Sequence, residues 1–303
     1  MALNRTALDN FYAERKPYLE EIVGMDFMEH PMKCLEFLNT KSASSGWVDG
    51  ATVSGMGLFQ TKAELVDAAT DDVLQGPTAR VSMLTYAKQH LVSQEAIEDD
   101  EGDGIIASRL PAMLRAGRAT QEVLGHDVLN SGFSSVTTPD GVALFSASHV
   151  NLSGTAGDNL ITTALSHAGI EEAILVLESQ TDDRNIPIFQ KAAKIVVPNA
   201  LRFTASTLLE SALKTDTPAS NYYSNEVNAL KGEGLSLVTT QFFTDSNNWF
   251  LLSDDHKLDW YWRITPENWS EVDYVKSGVR IGARFRCATG AWDWRGAVGA
   301  SVT

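Results

Sequence analysis

Hydrophobic positions recur with helical spacing in several stretches of the chain. Between Thr6 and Met28, Leu8, Phe11, Tyr12, Leu19, Ile22 and Val23 return about once per turn, interrupted by Pro17, which predicts a helical arm. After Gly104, Ile106, Leu110, Met113 and Leu114, then Val123, Leu124 and Val128, share one stripe. That pattern predicts a helix over about 105–131, roughly 40 Å long. Asp103 is its expected cap and Gly132 its stop, and Pro111 marks a kink or the start of the straight part. The acidic run Glu95–Asp103 precedes it, where negative charge complements the positive end of a helix dipole. "TTALSHAGIEEAILVLESQ" predicts an amphipathic helix on Ala164, Ile170, Ile174 and Leu177, and "ALRFTASTLLESAL" predicts another.

Other stretches alternate or are short and apolar. "ARVSMLTYAKQHL" suits a strand, with Val81, Met83 and Thr85 on one face. "AAKIVVPN" reads as a buried strand closed by Pro198, and "GLSLVTTQFF" and "NNWFLLSD" as strands pairing through "TDSN". Near the C-terminus Val279, Ile281, Ala283, Phe285 and Cys287 alternate with Arg280, Arg284 and Arg286, and this arginine face is expected to be paired with acids or solvated. The β/α alternation over about 160–258 predicts a compact lobe.

Residues 40–78 fit neither period. They are small, polar and glycine-rich, with isolated Trp47, Val53 and Phe59. Such a segment buries too little apolar surface to fold alone. It reads either as a long mobile loop or as a protruding hairpin that a neighbouring subunit orders.

Composition narrows the function. Apolar residues at 44% and charged residues at 21% describe an ordinary globular protein. No window has the apolar length of a membrane span, and the N-terminus lacks the apolar core of a signal peptide, so the expectation is a soluble chain kept in a cytoplasm. Cys34 and Cys287 lie far apart and read as buried thiols. A formal net charge of −15 argues against a surface that grips nucleic acid by neutralising phosphates. It leaves room for a protein that encloses nucleic acid without adsorbing it.

Candidate chemistry concentrates in "DGVALFSASHVN", which places Ser146, Ser148 and His149 beside a turn. A base next to its nucleophile in sequence is poorly aimed, and the G-x-S-x-G elbow is absent. The structural reading makes Val142, Leu144 and Phe145 an apolar strand, the serines its turn, and His149 a local hydrogen-bonding group. No zinc-ligand spacing, calcium loop or nucleotide-binding glycine motif occurs; His149, Asp158 and His167 would meet only by tertiary accident, and Asp99, Asp100 and Glu101 would hold a divalent cation weakly. Neither catalytic residues nor a cofactor nor a metal is expected.

Four stretches in order resemble one family: "HLVSQEAIEDDEGD" before the long helix, "DGVALFSASHVNL" after it, "IPIFQKAAKIVVPNALRFTASTLLES", and "NNWFLLSDD" with "GAWDWRGAVG". Together they are similar to the major head subunit of Mu-type tailed phages, within the capsid proteins of the Hong Kong 97 fold, over about 90–303. The resemblance implies an α+β subunit with an N-terminal arm (1–34), an extended loop with flanking strands (35–92), a peripheral domain (93–152 and 259–303) on a spine helix, and an axial domain (153–258). It implies a major capsid protein that self-assembles as hexamers and pentamers into an icosahedral head around double-stranded DNA. The same fold would also serve a cellular nanocompartment or gene-transfer particle. A separate scaffolding protein, a portal and decoration proteins are the further partners it suggests; no membrane is involved, and assembly is expected in the host cytoplasm. Some relatives carry an N-terminal scaffolding extension; this chain begins almost at the arm, so a separate scaffold or none is expected. Trp47, Val53, Phe59, Lys62 and Arg80 are the residues expected to serve assembly. Lys41 and Lys62 sit in the loop region, but nothing around them matches a crosslinking site.

Overall fold

The computed structural model describes residues 31–53, 55–73, 75–93, 102–214, 227–273, 276 and 278–302. The helical arm over Thr6–Met28, most of the acidic run, and Asp99, Asp100 and Glu101 lie outside the described residues.

A four-residue 3-10 turn, Lys33–Glu36, leads into strands β1 (Asn39–Ser42), β2 (Trp47–Val53), β3 (Gln75–Ser82) and β4 (Leu84–Ser93). The stretch expected as one strand is thus two. The chain changes partner at the buried Met83: β3 pairs antiparallel with β2, while β4 joins a different sheet. The Met83 amide, freed from both ladders, donates to the Gly46 carbonyl.

The long helix α1 spans Gly102–Asn130, 29 residues, with Pro111 inside it. It is about 44 Å long at the standard rise. Asp103 therefore lies within the helix instead of capping it. Met113, Leu114, Val128 and Leu129 are buried and Leu124 is half-buried, as the stripe requires, but Val123 is exposed. The buried face runs instead through Gln121, Glu122, Gly125 and His126. Gly125 explains part of this, since a side chain there would come within 2.5 Å of Cys34 Cβ. Its absence lets the Lys33–Glu36 turn lie directly on the helix. Glu122 fixes that turn, accepting from the Lys33 and Cys34 amides at 2.5 and 3.0 Å.

After α1 come the short pairs β5 (His149–Val150) with β6 (Ala156–Gly157), and β7 (Leu160–Ile161). Helix α2 (His167–Glu178) starts at Ser166, whose hydroxyl accepts the Gly169 amide at 3.1 Å, and it buries Ile170, Ala173 and Leu177. Ala164 precedes the helix. Next follow β8 (Ala192–Pro198), α3 (Arg202–Glu210), α4 (Leu230–Glu233), β9 (Ser236–Thr240), β10 (Trp249–Ser253), β11 (Leu258–Asp273), β12 (Gly278–Ala291) and β13 (Ala297–Ala300).

Two sheets organise these elements. One has the order β1-β11-β12-β4, the other β7-β13-β10-β8-β9. The expected β9–β10 hairpin does not form, because β8 lies between them, parallel to β9 and antiparallel to β10. β10 is buried on both faces, which explains its unbroken apolar letters. Phe250 and Leu252 face a core with Phe37, Leu129, Phe145 and Trp260, while Trp249 and Leu251 face a core with Ile170, Leu177, Ile195 and Leu208. The C-terminal strand β13, expected with the 259–303 part of the peripheral unit, pairs with β10 and β7 in the lobe's sheet.

β12 keeps the alternation read from its letters: Val279, Ile281, Phe285 and Cys287 are buried. Two arginines of its other face are paired with acids as expected, Arg280 with Asp273 and Arg284 with Glu267, but the third, Arg286, is half-buried and its Nε has no hydrogen-bond partner among the described residues. Cys34 and Cys287 are free buried thiols; burial pushes Cys34 up, and it raises Cys287 to about 12. Neither is a thiolate at neutral pH.

Candidate assembly surface

β2 and β3 form a two-stranded ribbon projecting from the body, with Trp47 opposite Ser82, Asp49 opposite Arg80 and Val53 opposite Gln75 beyond a register shift. An isolated ribbon is marginal in water, so its cross-strand contacts matter. Arg80 forks onto Asp49, Nε to Oδ1 at 2.6 Å and Nη2 to Oδ2 at 2.8 Å. Its guanidinium also lies 5.3 Å over the Trp47 ring. That hydrogen bonding holds Asp49 below the usual carboxylate range. The middle of the ribbon is seated on Trp292, whose ring would collide with a side chain at Gly50.

Beyond the ribbon, residues 55–73 contain no strand or helix. Leu58, Phe59, Leu65 and Val66 are exposed, Phe59 at 106% of its reference area. With Met56 and Val73, six large apolar side chains are exposed on this one loop, more than the scattered singles of an ordinary monomer surface. Lys62 is exposed on the same segment. Of the five residues singled out from sequence, Trp47 and Arg80 meet each other within the ribbon. Phe59 and Lys62 share the outer loop, and Val53 occupies the ribbon's far end. Asp49, Asp71 and Arg184 were missed; an Asp–Arg pairing across 31 or 113 residues leaves no local sequence signal.

The loop's root touches the lobe. Asp71 Oδ2 accepts from Arg184 Nη1 at 2.7 Å and from the Gly57 amide at 2.6 Å, and Arg184 Nη2 donates to the Asp72 carbonyl at 2.5 Å. Lys41, which begins this region, is committed elsewhere: its Nζ lies 2.7 Å from Asp259 Oδ2.

In the "DGVALFSASHVN" segment the strand expected at Val142, Leu144 and Phe145 is a folded turn instead. An isolated bridge joins Thr137 to Ala143, and the adjacent Leu144 and Phe145 are both buried. Asp140 binds Thr138 Oγ1 and the Val142 amide; Ser146 Oγ accepts the Ser148 amide. His149 is fully buried, stacked on Trp294 at 4.6 Å. Its Nδ1 lies 2.6 Å from Asp140 Oδ2 and its Nε2 3.2 Å from the Leu144 carbonyl. Burial works against the Asp140 charge, but His149, Thr138 and the Val142 amide outweigh it and keep the carboxyl below its ordinary range. Both ring nitrogens lie against oxygens of the turn itself, the Asp140 carboxylate and the Leu144 carbonyl, and not against a serine hydroxyl. Among the described residues, no group of three His, Cys, Asp or Glu side chains is spaced to hold a metal.

Nearby, Arg295 ties three segments together. Its Nη2 donates to Asn151 at 2.5 Å and Asp183 at 2.7 Å, its Nε to the Thr181 carbonyl at 2.9 Å, and its Nη1 lies near Asp293. Asn159 adds a second joint, its amide reaching the Leu144, Trp294 and Ala297 carbonyls. The turn after α1 and the C-terminal segment are thus locked to the lobe by polar contacts. A cavity of about 310 Å³ lies between α1 and the first sheet, lined by Tyr86, Met113, Gly117 and Phe285 with the Arg284–Glu267 pair.

A long helix beside a long-stranded sheet, a projecting ribbon and loop, and a lobe with its own sheet define a capsid shell subunit of the Hong Kong 97-like fold. The model of the phage capsid protein family matches residues 76–300, and the chain belongs to that family. It is a component of a viral shell. No curated protein is significantly similar to it in sequence. Among solved structures, it is similar to one from Microbacterium phage Oxtober96, with 14% identity over 89% of this chain and 90% of that one, TM-score 0.55. A capsid of an empty GTA particle gives 12% identity over 90% and 91%, also at 0.55. An encapsulin from Synechococcus elongatus gives 10% identity over 90% and 87%, at 0.50. At these identities the likeness is one of fold. No helix among the described residues is long and apolar enough to cross a membrane.

Proposed function

We propose that copies of this chain form hexamers and pentamers, which close into an icosahedral head around double-stranded DNA. The exposed loop carries this reading: Leu58, Phe59, Leu65 and Val66 have no contact in their own subunit that hides them, so a neighbouring copy covers them. Phe59 and Lys62 are the direct contacts, while Trp47, Val53 and Arg80 stiffen the ribbon that carries them. Several weak contacts per subunit suffice, since each later one forms at high effective concentration.

The domain plan that goes with this reading has the arm at 1–34, the extended loop and its strands at 35–92, and the peripheral domain at 93–152 and 259–303. The spine helix runs over about 105–131, and the axial domain over 153–258 takes β13 into its sheet. The net charge of −15 suits a wall that encloses DNA without gripping it. The role is structural and catalyses nothing, in keeping with the placing of both His149 ring nitrogens against the turn itself. A scaffolding protein, portal and decoration proteins complete the particle, which assembles in the host cytoplasm and leaves as part of the virion.

Deleting 44–76 tests it. The deleted chain should remain soluble and folded yet form no closed particles by electron microscopy. Shells of normal size from that deletion would overturn the assignment of the loop. The likeness to the GTA particle and to the encapsulin supports a second reading, a gene-transfer particle or nanocompartment of the same fold. Purified particles decide: a phage head protects a full genome from nuclease, a gene-transfer particle protects random host fragments, and a nanocompartment holds protein cargo.

A further inference from the structure

We infer that Arg184 is a positioning residue for assembly: from the lobe, it clasps the root of its own subunit's loop and aims the loop before a neighbouring copy arrives. This rests on the reading that the loop contacts neighbours.

The loop has little else to hold it. Its large apolar side chains point to solvent, and residues 58–70 are exposed throughout. Among the described residues, its hydrogen bonds to the rest of the chain converge on Arg184. A single exposed ion pair is worth little, but three groups meet here. Nη1 of Arg184 contacts both oxygens of Asp71, Nη2 reaches the Asp72 carbonyl, and the Gly57 amide closes on the same carboxylate. Both chain segments at the root, 57 and 71–72, are drawn to one point. Gly55 lies against the same turn, since a side chain there would come 3.0 Å from Asp182 Oδ2.

The mount is rigid, which separates this contact from a chance surface pair. Asp182 Oδ1 accepts from the Arg184 and Ile186 amides, both at 2.8 Å. Asn185 takes a left-handed φ of +61° to close the turn. Asp183, the residue beside Arg184, is buried and bound to Arg295. Adjacent side chains therefore point opposite ways, one into the lobe's polar joint and one onto the loop. A loop fixed at its root loses less conformational entropy when a partner covers it. It also follows the lobe wherever the lobe turns.

The test uses the full-length chain, purified unassembled, with Arg184→Ala, Asp71→Asn and the conservative Arg184→Lys. Hydrogen exchange over 55–73, thermal midpoint and assembly by light scattering are measured together. Arg184→Ala and Asp71→Asn should exchange roughly tenfold faster in the loop and assemble markedly more slowly at unchanged midpoint, and Arg184→Lys should recover most of both. Asp71 lies on the exposed loop, so its variant carries the test even if Arg184→Ala misfolds. Wild-type or faster assembly in Asp71→Asn, or no recovery in Arg184→Lys, overturns the clasp. Deleting 58–70 separates the two claims: if that deletion blocks closure while the clasp variants assemble normally, only the clasp fails; if it leaves shells normal, the loop reading itself fails.

Discussion

His149 and Asp140 stand 2.6 Å apart, with the opposite ring nitrogen of His149 turned to the Leu144 carbonyl at 3.2 Å. The pair looks like the base and acid of a hydrolase but is a brace for the turn that follows α1. His149→Ala should therefore cost about 2–4 kcal/mol, from the lost hydrogen bonds and the cavity beside Trp294. Urea unfolding measures it. A change under about 0.5 kcal/mol would show the brace to be idle.

Acid sensitivity should trace to His256. Burial, with repulsion from Lys194 and Lys257, lowers its pKa to about 4 against the attraction of Asp259 and Asp255. Its Nδ1 accepts the Leu258 amide, which also suits the neutral ring. The unfolded chain binds a proton near pH 6.5 that the folded chain refuses until about pH 4. Stability is thus fully present above pH 6.5 and falls as pH drops through that window, by about 3 kcal/mol in all. His256→Gln should flatten this part of the pH–stability curve; an unchanged slope would assign the effect elsewhere.

Gly50→Val tests how the ribbon is seated. The new side chain would collide with the Trp292 ring, which is held by its Nε1 bond to Tyr261 at 2.8 Å and has little room to move. Overpacking of this kind costs about 1–3 kcal/mol. The subunit should stay folded, with raised Trp292 solvent exposure by fluorescence quenching and fewer closed particles. Wild-type particle yield would mean that the ribbon tolerates a different angle.

Lys41→Met should strand Asp259, which is fully buried and left with Tyr261 alone at 2.8 Å. Breaking a fully buried pair costs about 3–5 kcal/mol, and the half-exposed Lys41 brings the expectation down to about 2 kcal/mol. Adding Asp259→Asn should restore most of the loss, since an amide still accepts from Tyr261 without carrying charge. Calorimetric melting of the single and double variants checks both steps.

Elements whose signal is local were legible in the letters. The period of α1, the apolar stripe of α2 and the alternation of β12 depend on neighbours within a few residues, and each stands close to where its pattern put it. Expectations that needed a partner's identity went astray. β9 and β10 look like a hairpin because they are consecutive, yet both pair with β8. Met83 continues the alternation of its stretch while the chain exchanges one sheet for another. Val123 fits the stripe of α1, but Gly125 lets Cys34 approach and turns the buried face aside.

The candidate site divides the same way. Poverty of apolar residues over 40–78 set the segment apart, with Trp47 and Phe59 standing out within it and Arg80 just beyond it. Nothing in the chain's order joins Asp71 to Arg184, Lys41 to Asp259, or Arg295 to Asp183. By itself the sequence determined the periodicities, the charge and the family likeness, because these are sums over short stretches. Tertiary structure alone decided which strands pair and which distant charges meet, because a hydrogen bond or ion pair depends on closeness in space, which the fold creates.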